Sequence, residues 1–338
     1  MLLIPARQKG RAALRNVLAK KFMVAAANPY AAQAGYQILK RGGSAVDAAI
    51  ATQMVLTLCE PQSSGIGGGA FMLHFDGKGV EAYDGRETAP AAVDGKLFLN
   101  ADGSPLKRVE AIVGGRSVGV PGVLRMLEMA HREHGKLAWA SLFEPAIKLA
   151  EDGFAVSPRL HKLLQGESFL KQDAQAASYF YDAEGKPRPV GYILKNPQLA
   201  ATLRMLAKDG AQAMYQGKLA QNMVAKVRGH SRNPGNLSLA DIAGYQAKKR
   251  AAICSDYRQY RVCGMPPPSS GGAAVAQILG MLEHTQIANE RPQQGKPTTQ
   301  ALHLISEAER LAYADRDFYA GDSDFVPLPG RGLAALID

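Results

Sequence analysis

The clearest chemical potential in this 338-residue chain lies in the run Asp84-Gly85-Arg86-Glu87-Thr88-Ala89-Pro90. An arginine fork matches a carboxylate through two parallel N–H···O bonds, which a lysine ammonium does not reproduce. Glu87 stands where it would orient the Arg86 guanidinium or balance its charge. On the residues alone two readings are open. Arg86 grips an anionic ligand, or it is a structural arginine paired to an acid at a strand end.

Pro61-Gln62-Ser63-Ser64-Gly65-Ile66-Gly67-Gly68-Gly69 precedes it. Phosphate cradles follow a strand and open a helix, whose N-terminal N–H groups hold the anion. Here a helical pattern comes before the glycines and a strand pattern after, so the run reads as a tight loop needing positive φ or close backbone approach. Met265-Pro266-Pro267-Pro268-Ser269-Ser270-Gly271-Gly272 cannot be regular helix or central strand, because three prolines fix φ and remove donors. It reads as a stiff turn entering a helix, with Ser269 or Ser270 as its cap. No Gly-x-Ser-x-Gly elbow supports a serine nucleophile. His131 and His134, three apart, lack a third ligand nearby, so a solvated helix end is expected and no metal. Glu60 has no assignable chemistry.

The elements that position these residues alternate between helix and strand signals. Asn28-Pro29 starts a helix that Gly42-Gly43 stops. Ser44 opens a second, with Asp47 as its capping partner, and that helix is apolar on most faces. Ala70 to Phe75 and Val80 to Tyr83 read as a hairpin closed at Asp76-Gly77, delivering Arg86 to the end of a sheet. Residues 122–135 and 139–151 read as surface helices, and 160–235 as polar and helical with turns. Strands follow around 250–265, then helices over about 273–282 and 299–318. The acids and bases Glu307, Glu309, Arg310, Asp315 and Arg316 suit ion pairs at helical spacing.

Composition is that of a globular protein, 46% apolar and 21% charged. The formal charge is +10, but residues 1–22 contribute Arg7, Lys9, Arg11, Arg15, Lys20 and Lys21 and no acid, leaving +4 for the rest. This basic N-terminal extension reads as a solvated tail, not a nucleic-acid arm. Ala48 to Cys59, the longest uncharged apolar stretch, falls short of the ~20 residues of a membrane span. No signal peptide is visible, since Met1-Leu2-Leu3-Ile4 ends at Pro5 and basic residues follow. Of three cysteines, Cys59 reads as a buried small hydrophobe. A tight turn at Arg258-Gln259 would set Cys254 opposite Cys263, where a cross-strand disulfide fits. Gln259 is a poor residue for such a turn, so two free thiols are the expectation.

The ordered blocks around Arg86, Pro266–Gly272 and Ala308-Glu309-Arg310-Leu311-Ala312-Tyr313-Ala314-Asp315-Arg316 resemble the large subunit of γ-glutamyltransferases (glutathione hydrolases) from Met23 to the last residue. The resemblance implies an αββα four-layer sandwich of the N-terminal-nucleophile hydrolase type, with residues 23–338 as its large-subunit region. It implies that Arg86 holds the α-carboxylate of glutathione or another γ-glutamyl compound, supported by Glu87, without a cofactor. It implies export to the periplasm or outside, and a small subunit carrying the nucleophilic threonine. The Thr-Thr-His junction of that subunit is not found, and Thr298-Thr299 is followed by Gln300. No catalytic residue is therefore expected in this chain, which should be inactive alone. Related acylases, poly-γ-glutamate depolymerases, a non-catalytic remnant and a basic nucleic-acid-binding module are the rival readings.

Overall fold

A computed structural model describes residues 18–330 and 332–337; Arg7, Lys9, Arg11 and Arg15 of the basic extension lie outside them. Helix α1 (Pro29–Lys40) starts where the Asn28 side chain accepts the Tyr30 N–H and Pro29 needs no partner. It ends at Gly42, whose φ of +90° suits glycine. Helix α2 (Ala45–Cys59) opens with the expected capping box between Ser44 and Asp47. Val46, Ile50, Met54, Val55 and Leu58 bury it almost all round. At Gly35 of α1 a Cβ would overlap Thr52 of α2, so the two helices pack with little space between them.

Strand β1 (Ala70–Phe75) pairs antiparallel with β2 (Val80–Gly85). The turn is wider than the two residues expected: it spans 76–79, and the Asp76 carboxylate accepts the N–H groups of Lys78 and Gly79, both at 2.8 Å. On its other edge β2 pairs with Lys248–Ala251, giving a three-stranded sheet with β2 central. Alternation then sorts the side chains. Met72, His74, Glu81 and Tyr83 share one face, and helix Val123–His134 packs over it. Phe71, Leu73 and Phe75 share the other, where Leu73 is 43% and Phe75 65% exposed.

Two expectations fail. Residues 123–134 do not form a surface helix, because Val123, Leu124, Met126, Leu127 and Ala130 are buried. The second segment is a 3-10 turn, Trp139–Leu142, followed by helix Glu144–Asp152, and buries Leu142, Phe143, Ala146 and Ala150. Both carry an apolar stripe that closes the core under α2 and the sheet. Nor are Cys254 and Cys263 free thiols. They face each other across strands Ile253–Tyr257 and Tyr260–Gly264 and form a disulfide, with Cα atoms 4.1 Å apart. Arg258, not Gln259, takes the left-handed conformation at that turn, with φ +54°. Cys59 is the buried hydrophobe expected, and burial with Glu60 beside it pushes its thiol up to about 12.

The expected stiff turn ends at helix Gly271–Glu283, which packs against Thr299–Tyr319. Ser270 sits at the N-cap position without a capping hydrogen bond. Its Oγ accepts from Arg316 Nε at 3.0 Å.

Candidate active site

Arg86 leaves the sheet at the end of β2 with its backbone fixed from several directions. Its N–H donates to Asp84 Oδ1 at 2.9 Å, and its carbonyl accepts from the Tyr245 hydroxyl at 2.8 Å. Asp84 is 6% exposed and its second oxygen accepts from Arg250 Nε at 2.8 Å. Arg250 in turn makes two hydrogen bonds to Asp324. Thus the bend that carries Arg86 is anchored by residues more than 150 positions away.

The glycine loop packs directly behind this bend. A Cβ on Gly69 would lie 2.5 Å from Glu87 Oε2, 2.6 Å from the Gly85 carbonyl and 2.7 Å from the Glu87 nitrogen. The Gly68 carbonyl accepts from Gly122 and Val123 at the start of the neighbouring helix. None of Gly65, Gly67, Gly68 and Gly69 has positive φ. Of the two reasons the sequence allowed for these glycines, close backbone approach applies at Gly69, while Gly65, Gly67 and Gly68 have room for a Cβ.

The side chain of Arg86 is far less enclosed. It is 58% exposed and paired through Nη1 to Glu87, which is 29% exposed. Its Nε and Nη2 edge makes no hydrogen bond to a described residue. Glu87 is thus paired with a guanidinium that is more than half exposed. A planar donor edge of this kind can receive a carboxylate.

Other sequence candidates fall elsewhere. Glu60 is a buried structural carboxylate, accepting from Asn28 Nδ2 at 2.9 Å and from Gln62, with Arg159 at 3.5 Å. Thr298 caps its helix, its Oγ1 accepting the Ala301 N–H at 3.0 Å and donating to Glu290. His131 and His134 are not a solvated helix end. His131 bonds the Leu137 carbonyl at 2.9 Å and packs on Trp139. His134 turns toward the sheet and meets Glu81 and Tyr83. Asp84, Tyr245 and Arg250 were missed as supports of Arg86, since nothing local in the sequence marks partners so distant.

A model of the family described as gamma-glutamyltranspeptidase matches residues 31–337. The chain belongs to the γ-glutamyltranspeptidase family. It is 37% identical over 320 residues to the glutathione hydrolase proenzyme of Escherichia coli, covering 94% of this chain and 54% of that protein. It is 36% identical over 324 residues to the acylase ACY 1 proenzyme of a Pseudomonas strain, covering 94% and 56%. The crystal structure of Helicobacter pylori γ-glutamyltranspeptidase superposes with a TM-score of 0.88 at 31% identity, over 96% of this chain and 90% of that one. The fold is accordingly that of the γ-glutamyltranspeptidases among the N-terminal-nucleophile hydrolases, as the resemblance implied. The chain spans about half the length of the curated relatives it matches.

Proposed function

We propose that this chain is the large-subunit part of a γ-glutamyltransferase/glutathione hydrolase and that Arg86 binds the α-carboxylate of its γ-glutamyl substrate. The carrying observation is the contrast at Arg86: a backbone held by Asp84 and Tyr245 beside the glycine loop, under a guanidinium that is 58% exposed and paired only with Glu87 among the described residues. A rigid base beneath a charged donor is what substrate positioning requires. In the proposed reaction a threonine hydroxyl on the small subunit, activated by its own α-amine, attacks the γ-glutamyl carbonyl. The amine leaves, and water or an amino acid takes the glutamyl group from the acyl-enzyme. This chain contributes recognition, with Glu87 keeping the guanidinium in place.

The exposed Leu73 and Phe75 support a partner covering that sheet face, since an apolar sheet face is normally buried. The Cys254–Cys263 disulfide supports an oxidising location, periplasmic or extracellular. Among the described residues no helix is long and apolar enough to cross a membrane. The test is hydrolysis of γ-glutamyl-p-nitroanilide by the purified chain, alone and co-expressed with a threonine-bearing small subunit. Activity only in the second case is expected. Saturable turnover by the chain alone overturns the subunit reading.

The acylase among the relatives favours a second reading, hydrolysis of glutaryl amides. A glutaryl group keeps the terminal carboxylate and lacks only the α-amino group. A panel of γ-glutamyl, glutaryl and poly-γ-glutamyl amides separates the two, with preference for the γ-glutamyl amide expected.

A further inference from the structure

On the helix-facing side of the sheet three groups with metal-ligating atoms converge. His74 and Glu81 stand directly opposite each other across β1 and β2. His134 comes from the last turn of helix Val123–His134. Glu81 Oε2 is 2.7 Å from His134 Nε2 and 3.7 Å from His74 Nδ1, and the three donor atoms all lie within 4.8 Å of one another. We propose that His74, Glu81 and His134 form a binding site for one divalent transition-metal ion of the zinc class, fastening the β1–β2 hairpin to the helix above it.

Two imidazole nitrogens and one carboxylate oxygen are a donor set that suits zinc over calcium or magnesium, which prefer all-oxygen surroundings. A tetrahedral ion with bonds of about 2.1 Å holds its ligand atoms roughly 3.4 Å apart, inside the range spanned here. The shift needed is an opening of the His134–Glu81 contact and a rotation of the two imidazoles, which stack with centroids 3.9 Å apart, so that both lone pairs aim at one point. His74 Nδ1 is buried and has no hydrogen-bond partner, although buried polar atoms normally find one. An ion would satisfy it.

The surroundings are arranged as an outer shell. The Tyr83 hydroxyl is 3.0 Å from the ligating oxygen of Glu81 and 2.8 Å from Glu133, and its 2.8 Å contact with His134 Nε2 would give way to the ion. Lys249 Nζ holds the other oxygen of Glu81 at 2.6 Å, so Oε2 faces the two histidines and the Tyr83 hydroxyl, which is 3.0 Å away. Glu81 and Glu133 against Lys249 leave one net negative charge beside the two imidazoles, a favourable field for a cation. His74 and His134 side chains are 16% and 22% exposed, so an ion can enter. His131 is not part of the site.

The proposal does not depend on the γ-glutamyl reading, and its test involves no turnover. The full chain, stripped with a chelator, is titrated with Zn2+ by calorimetry and with Co2+ by visible absorption. One Zn2+ per chain, a rise in Tm with Zn2+, and the d–d bands of a four-coordinate cobalt are expected. Losing an outer partner alone costs about 10–100-fold in metal affinity. Tyr83→Phe should therefore weaken binding about tenfold, and His74→Ala or His134→Ala by more than ~100-fold. His303→Ala, at a distant exposed histidine, should change nothing. His74→Gln, checked for native circular dichroism, decides the matter if an alanine variant misfolds. No saturable Zn2+ binding by the folded wild type overturns the proposal. So does binding that survives at wild-type strength in the folded His74 variants.

Discussion

Asp84 couples the backbone of Arg86 to the side chain of Arg250, accepting one hydrogen bond from each at 2.9 and 2.8 Å. Both side chains of the Asp84–Arg250 pair are largely buried, 7% and 15% exposed, and Asp324 closes the network. Removing one partner of a buried pair leaves a charge without compensation. Asp84→Ala should therefore cost about 3 kcal/mol in urea unfolding of the chain. Arg86→Ala, which removes an exposed side chain, should stay within about 0.5 kcal/mol. A reversed order would make Arg86 a structural residue.

The glycine loop makes a positional prediction. Gly69→Ala drives a Cβ into the Gly85 carbonyl and the Glu87 backbone, where little can yield, and should destabilise by about 1–3 kcal/mol. Gly67→Ala meets nothing within 4 Å and should be near neutral. Thermal unfolding of the two variants compares them, and equal effects would show that close approach is not what the glycines serve.

Thiol chemistry tests the disulfide. Ellman titration should find no reactive thiol in the native chain, because Cys59 is buried and its thiol raised. One should appear on denaturation and three after denaturation with reduction. Cys254 and Cys263 close a short loop, so Cys254→Ser should cost no more than about 2–3 kcal/mol. Three reactive thiols in the unreduced, denatured chain would contradict the pairing.

Glu81 has a consequence for acid stability. Hydrogen bonding by Lys249, His134 and Tyr83 lowers its carboxyl from 4.5 to about 2. A depressed folded value means the stabilisation is present above pH 4.5 and is lost as pH falls toward 2. With chelator present, Glu81→Gln should flatten the fall in Tm across that window, relative to wild type. An unchanged slope would remove Glu81 as a contributor.

Much of the framework was legible because its signals are local. Asn28-Pro29 and Ser44 with Asp47 both cap helices as their spacing indicates. The hairpin before Arg86 follows from alternation and Asp76-Gly77, although the carboxylate of Asp76 builds a wider turn. The two helical stretches over 122–151 looked like surface helices because their polar residues are frequent, and only the packing reveals which face turns inward. Tyr245, Arg250 and Asp324 support Arg86 through contacts across long stretches of chain, which no local pattern announces. His74 hides in an apolar strand, and its partner is known only once β1 and β2 are in register.

The most direct test of the account is the response of Arg86 variants, with the threonine-bearing small subunit supplied, to substrates with and without an α-carboxylate. Losing a charged partner for a bound carboxylate typically costs ~2–5 kcal/mol, so Arg86→Ala should lower kcat/KM for γ-glutamyl-p-nitroanilide at least ~30-fold. Arg86→Lys should fall short of rescue, because an ammonium lacks the fork. With a 4-aminobutyryl anilide, which lacks the α-carboxylate, the penalty should largely vanish. An equal loss on both substrates, in a variant that is folded by circular dichroism, would contradict the assignment of Arg86 to substrate recognition.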